Sequence, residues 1–381
     1  MKIGLDARYL SHGLIGGVRT YVYHLAHELP ALADGDEFFY YVDQKAAFEL
    51  QRLPSNVSVR TLPWTSAWSS VANDIRIRRW MERDRIDVAH FPANYGPRGA
   101  YGLVVTVHDA LNLFRISEHL RGFGKRPRQV AMIAYLGRQT RRALRDADCI
   151  VTISEHARGE LMRMSRCPGG RITAIHEAAG EEFRESRDPV ALEGARKRLL
   201  RRSRTILADG IKNPAVLVEA FNAMPDAERA DTELLFFSRE PSPRPAVAAA
   251  LANPNVRFLP RPATEDLVAL MNLATVFVFP SWYEGFGLPL VEAMSCGAPV
   301  IASSRGSIPE VLGGAGLLFD LERPDGLARH LRAVLESESL RQALRSRSLS
   351  RSQDFLWPTT AARTLDVYRR AAAGRRPGAH P

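Results

Sequence analysis

The chain has 381 residues, 45% hydrophobic and 25% charged, which suits a globular protein of two ordinary domains. Its three cysteines, Cys149, Cys167 and Cys296, have neither metal-ligand spacing nor the density of a disulfide framework, so a reducing compartment is expected. The formal net charge of +10 is almost all arginine, and no zinc finger, RNP motif or patterned aromatic–basic stretch accompanies it, so no nucleic-acid partner is expected.

Met1 leads straight into the strand-like KIGLD at 2–6, without the pattern of a signal peptide. Further strand candidates follow at 38–42, 57–61, 87–91, 103–108 and 149–154. Between them TYVYHLAHEL and AMIAYLGRQTRRAL place apolar residues at helical spacing. The second half repeats the scheme, with strands at 205–208, 233–238, 256–259, 275–279 and 299–303, and with PAVLVEAF, TEDLVALMN and PLVEAMSC as helices. Such alternation predicts an α/β protein of two doubly wound, Rossmann-like domains facing a cleft. The boundary is expected within 176–189, giving an N-terminal domain over 1–180 and a C-terminal domain over 181–360. Residues 361–381 then form a last helix, packing back on the N-terminal domain, and a frayed tail that includes RRAAAGRRPGAHP. No apolar run reaches the roughly 18 residues that span a bilayer, so a cytoplasmic location is expected.

In open α/β sheets ligands bind where strands end and helices begin. Three loops hold such positions. In HGLIGGVRTY, Gly16 and Gly17 let the backbone approach a ligand closely, although a paired glycine can also be only a tight turn. In VTVHDALNL, His108 and Asp109 arrive at the end of an apolar strand; a helix cap by Asp109 is the alternative. In FPSWYEGFGLPLVEAM, Gly285 and Gly287 open a loop and Pro289 suits a helix start, so that Glu292 falls in the first helical turn. A dipole partner role would explain Glu292 there. It would not explain Glu284. Carboxylates accept from sugar hydroxyls and free helix amides suit phosphate, so this one loop offers both halves of a sugar-nucleotide site.

The pair Glu284 and Glu292 within FPSWYEGFGLPLVEAMSCGAPVIASSRGSIPEV resembles the signature of GT-B retaining glycosyltransferases of family 4. The segments GGVRTYVYHLAHEL, VHDALNLF, VTISEHARGEL, IKNPAVLVEAF and RFLPRPATEDLVALMNLA agree with it in family order and cover nearly the whole chain. The resemblance implies an acceptor-binding N-terminal domain and a donor-binding C-terminal domain. It also implies site residues. Glu292 would accept from the ribose and Glu284 would face the donor sugar, while amides around Gly285, Phe286, Gly287 and Leu288 would hold the sugar or diphosphate. Lys212 would bind the diphosphate and His108, with Asp109 beside it, would face the transferred sugar. Gly16 and Gly17 would approach the diphosphate or the acceptor, and the turn at Arg261 would meet the nucleobase. One departure stands out: the Gly-Arg pair usual about six residues before the lysine is missing from TILADGIKN, where Ile206 takes that place and Arg204 or Arg239 is the candidate substitute.

The expected activity is metal-independent transfer of a hexose-type sugar from a GDP- or UDP-linked donor, with no cofactor. The acceptor is a glycan or lipid-linked glycan of a surface-polysaccharide or O-antigen pathway. Asp146-Ala147-Asp148 has the letters of a metal motif but reads as a polar helix end. The rival readings are a catalytically weak scaffold subunit and a sugar-nucleotide epimerase of the same fold. Basic runs at 76–85, 121–129, 141–145 and 196–204 read first as solvated helix faces. With Trp80, Met132, Ile133 and Tyr135 interleaved, those at 76–85 and 121–145 also make an anionic membrane surface a candidate partner.

Overall fold

The computed structural model describes the whole chain except residues 14–15, 34, 48–49, 51–52, 67–68, 115–126, 324 and 375–381. It divides into two compact units, Met1–Glu177 with Trp357–Pro381, and Ala178–Leu356. In the first unit, strands β1 (Lys2–Asp6), β2 (Glu37–Asp43), β3 (Val57–Leu62), β4 (Val88–Phe91), β5 (Gly102–Thr106), β6 (Cys149–Thr152) and β7 (Ile172–Ala174) form one parallel sheet in the order β3-β2-β1-β4-β5-β6-β7. In the second, β8 (Arg204–Asp209), β9 (Thr232–Ser238), β10 (Val256–Pro260), β11 (Val276–Phe279), β12 (Val300–Ser303) and β13 (Leu317–Phe319) form a parallel sheet in the order β10-β9-β8-β11-β12-β13.

Parallel strands with both faces covered by helices read as continuous apolar runs. GLVVT in β5 and TELLFFS in β9 are buried at every position. In the second sheet Ile206, Leu234, Phe236, Val276 and Val278 are fully buried, each contributing roughly 1.5–3 kcal/mol relative to exposure. The expected strands all form, with ends moved by a residue or two. The edge strands β7 and β13 were not expected; at three residues, and partly exposed, they leave no run of apolar positions to read.

Strand order fixes where ligands can bind. The winding reverses between β1 and β4 in the first sheet and between β8 and β11 in the second, so a crevice opens at the carboxyl ends of each pair.

The last helix, Trp357–Ala373, starts before the expected residue 361 and runs into the stretch expected to fray. Residues 357–360 therefore leave the expected C-terminal domain, and 375–381 lie outside the described residues. The helix belongs to the first unit. The Trp357 ring stacks on His24 at 4.4 Å, the Tyr368 hydroxyl meets His90 Nδ1 at 2.7 Å, and Thr360 Oγ1 donates to the His176 carbonyl at 2.7 Å. It lies so close to β5 that a Cβ on Gly102 would stand 2.6 Å from the Ala371 carbonyl oxygen.

Candidate active site

The crevice between β8 and β11 is built by two short turns. After β8, the Ile211 amide donates to Asp209 Oδ1 at 3.0 Å and the Lys212 amide to the Asp209 carbonyl at 3.2 Å, which turns Lys212 back over the sheet edge. Asn213 is left-handed at φ 53°, and its Nδ2 donates to the Pro280 carbonyl at 3.1 Å, tying this turn to the one after β11. Pro214 then opens the helix Pro214–Asn222. After β11 the loop reaches Gly287, left-handed at φ 100°, and the helix Leu288–Ser295 begins. The first amides of both helices have no partner within their own helix.

At this point Lys212 Nζ meets Glu284 Oε1 at 2.7 Å, and the Ser281 hydroxyl donates to the same oxygen at 2.7 Å. Both contacts use Oε1, and no hydrogen bond or ion pair to Oε2 is found among the described residues. The backbone beneath Glu284 is held as well. Ser307 Oγ lies 3.0 Å from the Glu284 carbonyl and 2.9 Å from that of Phe286, sharing its hydrogen between them, and Ser303 Oγ donates to the Ser281 carbonyl at 2.6 Å. Gly306, left-handed at φ 59°, lets that loop in: a Cβ there would stand 2.9 Å from the Glu284 carbonyl oxygen. Asp209, nearly buried, has its pKa raised by desolvation and by Glu284, an effect that Lys212, Arg239 and the Ile211 amide oppose.

Other expected residues fall nearby with altered roles. The Phe286 side chain is buried against Phe355, with ring centroids 5.6 Å apart, and Leu288 is also buried, so neither side chain is open to a ligand. Glu292 is the fifth residue of its helix rather than part of its first turn, because the helix starts at Leu288. A dipole partnership therefore does not account for it, since that effect fades within the first turn. It is buried; desolvation, with a lesser push from the Glu292 charge, takes the Cys296 thiol up to about 12. Arg261, left-handed at φ 46°, follows β10 on the same edge, its amide donating to the Ser238 carbonyl at 2.6 Å. Of the candidate substitutes for the missing arginine, Arg204 begins β8 and so lies at the opposite edge of the sheet. Arg239 follows β9 and faces Asp209. Ile206 is mid-strand and fully buried.

The remaining expected residues belong to the first unit. Gly16 and Gly17 start the helix Gly17–Leu32, and a Cβ at either would meet only open space among the described residues. Asp109 Oδ1 accepts from the Leu111 amide at 2.8 Å, a bond within its own turn, while Ala110 caps the short helix Leu111–Leu113. His108 is buried, with Nε2 donating to the Pro92 carbonyl at 2.8 Å and Nδ1 3.4 Å from Glu177 Oε1. Both its nitrogens thus face protein acceptors. Burial alone would lower its pKa; Glu177 and the Pro92 carbonyl reverse this and raise it. Asp146 is paired with Arg142 and Arg145, and Asp148 Oδ2 accepts from the Leu103 amide at 2.8 Å, so both have structural partners. Among the described residues no group of three or more His, Cys, Asp or Glu could hold a metal ion, and no helix is long and apolar enough to cross a membrane.

Sequence reasoning missed Asp209, Asn213, Ser281, Gly306 and Ser307. Ser281 and Asn213 lie beside residues already singled out. Gly306 and Ser307 come from the next strand–helix turn and carry no signal of their own.

Comparison with known proteins bears on the family and the fold. A model described as glycosyl transferases group 1 matches residues 198–337, in the second unit, and one described as glycosyltransferase family 4 matches residues 15–179, almost wholly in the first. The chain is 29% identical to the O-antigen chain mannosyltransferase B of Escherichia coli over 77% of each chain. Its fold matches sucrose-phosphate synthase from Thermosynechococcus elongatus with a TM-score of 0.75 at 20% identity, covering 98% of this chain and 100% of that one. It also matches Anabaena Alr3699/HepE, solved in complex with UDP, with a TM-score of 0.68 at 16% identity, covering 97% and 99%. With one model on each doubly wound unit and the Lys212–Glu284 pair at the second switch point, the chain belongs to glycosyltransferase family 4 and is a glycosyltransferase of the GT-B fold.

Proposed function

We propose that the chain transfers a hexose-type sugar from a UDP- or GDP-linked donor to a glycan or lipid-linked glycan acceptor, with retention at the anomeric carbon, in O-antigen or other surface-polysaccharide assembly. The observation that carries this reading is the 2.7 Å pair of Lys212 and Glu284 at the β8/β11 switch point, set between two helix N-termini. The Lys212 ammonium and the helix amides suit a diphosphate, and Arg239 adds a second cation on that edge. With these groups meeting the diphosphate charge, we infer chemistry that needs no divalent metal. Glu284 Oε2 accepts from donor-sugar hydroxyls, and buried Glu292 accepts from the ribose. The departing diphosphate takes the acceptor proton on the same face of the sugar, so the protein mainly orients the reactants and stabilises the leaving group. The names of the O-antigen relative and of the UDP complex support the pathway and the donor class. We place the reaction in the cytoplasm, at the inner face of the membrane where lipid-linked glycans would be met.

The test is a donor screen reading nucleotide release with and without acceptor mixtures, repeated in EDTA. Release that needs acceptor, persists in EDTA and gives a product of the donor's anomeric configuration is expected. Conversion without acceptor would indicate an epimerase, no release with any donor a scaffold, and an inverted product would contradict retention.

A further inference from the structure

At the amino ends of β5, β6 and β7, on the sheet edge opposite the strand-reversal crevice of the first unit, lies a cavity of about 400 Å³ that the transfer reading does not use. Four arginines line it against two aspartates. Arg98 comes from the loop before β5, Asp146 and Asp148 from the turn before β6, and Arg171 directly precedes β7. Arg370 reaches in from the last turn of the helix Trp357–Ala373.

These charges do not cancel. Asp146 is taken by Arg142 and Arg145, and Asp148 accepts from the Leu103 amide. Arg171 uses only Nη2, on the carbonyls of Arg145 and Ala147, and Arg370 only Nη2, on Thr173 Oγ1 at 2.7 Å. Arg98 is exposed, and none of these three arginines pairs with a carboxylate among the described residues. Two of them converge on one atom: burial pushes the Cys149 thiol up, and the charges of Arg370 and Arg171 oppose that rise. The helix end brings roughly half a negative charge to this edge, which Arg370 alone answers. Guanidinium donors in excess, with no carboxylate to close them, suit the oxygens of a phosphate. The cavity is larger than a bare phosphate and leaves room for a body attached to it.

We propose that this cavity binds a phosphate monoester, its oxygens held by Arg98, Arg171 and Arg370, and that the bound ester ties the end of the last helix to the sheet. A phosphate monoester has a soluble and a membrane-borne source, so the probes are glucose 6-phosphate and phosphatidylcholine vesicles carrying phosphatidic acid. Glucose, inorganic phosphate and plain phosphatidylcholine vesicles are the controls. The readout on the full chain is alkylation of Cys149 by iodoacetamide, followed by mass spectrometry. Cys149 is half-buried and lines the cavity, whereas Cys167 and Cys296 are buried. Ester at about ten times its Kd should slow that alkylation roughly tenfold and raise Tm. Arg98→Gln removes no contact within the described fold and should weaken protection about tenfold, as for one lost charge-assisted contact; Arg370→Gln should do the same. Protection by one probe and not the other identifies the source and supports the site. Lys212→Met, in the second unit, should leave protection intact; its loss there would put the ester in the donor site and overturn the proposal. The proposal is equally overturned if neither probe slows alkylation, if a control protects as well, or if both arginine variants are protected like the wild type.

Discussion

Glu284 is the residue on which the proposed donor site turns. One oxygen is occupied by Lys212 and Ser281, while its backbone is fixed by Ser307 and by the close approach of Gly306. That much support around one loop carboxylate fixes its orientation, which the proposed role against a reacting sugar requires. Glu284→Gln keeps the shape and removes the charge that pairs with Lys212. It should lower kcat roughly 10²- to 10³-fold while thermal melting stays cooperative; near-normal turnover in a steady-state assay would remove Glu284 from the mechanism. Glu284 stood out in the sequence because a glycine-rich strand-to-helix junction has no packing use for a carboxylate, and the structure places it against Lys212. Its partners stood out less. Gly306 and Ser307 reach it only through the β11–β12 neighbour relation, which is a property of the sheet. The setting of Glu292 was misplaced for a local reason: the helix takes Leu288 as its first residue, which moves Glu292 into the second turn.

At the scale of elements, the alternation of strand and helix was readable throughout, since buried parallel strands are apolar at nearly every position. The docking of the last helix on the first unit was expected, but the contacts that make it were not legible, because they join side chains far apart in the chain. Two of them are histidines held neutral. Burial, with His27 nearby, lowers His24 to about 4, and burial, with His108 nearby, lowers His90 to about 3, against an ordinary value of 6.5. A lowered folded-state pKa means that the stability linked to these groups is present above pH 6.5 and is lost as pH falls toward the lowered values. For His24 the loss reaches about 3 kcal/mol once pH is below its folded value. His108 has the opposite sign: its raised pKa favours the fold below 6.5 and the contribution is lost as pH rises through the raised value. Thermal melts from neutral pH downward should therefore show falling Tm, and His24→Gln should flatten part of that fall while lowering Tm at neutral pH through the lost stacking on Trp357. An unchanged slope in the variant would mean that His24 titrates freely in the folded protein.

At the scale of the whole molecule, two sheets of the same winding each place a crevice at a reversal of strand order, and the chemistry differs between them. The first is floored by Asp6, Arg8 and Asp74; the second presents Lys212, Glu284 and helix N-termini. The net charge of +10 is largely separate from either. Arg78, Arg142, Arg145 and Arg198 of the basic runs pair with Glu82, Asp146 and Asp266 on exposed faces, where solvent screens such pairs and leaves them little weight in stability. Trp80 packs on the core of the first unit, whereas Met132 and Tyr135 are exposed; the run at 121–126 lies outside the described residues. The central claim is that the second crevice binds the diphosphate of a sugar donor through Lys212. Isothermal titration calorimetry of UDP- and GDP-sugars against the wild-type chain and Lys212→Met tests it most directly. At least one donor should bind the wild type, and the variant should bind it roughly ten- to a hundredfold more weakly, the worth of a charge-assisted contact; binding of no donor, or equal binding by both proteins, would contradict it.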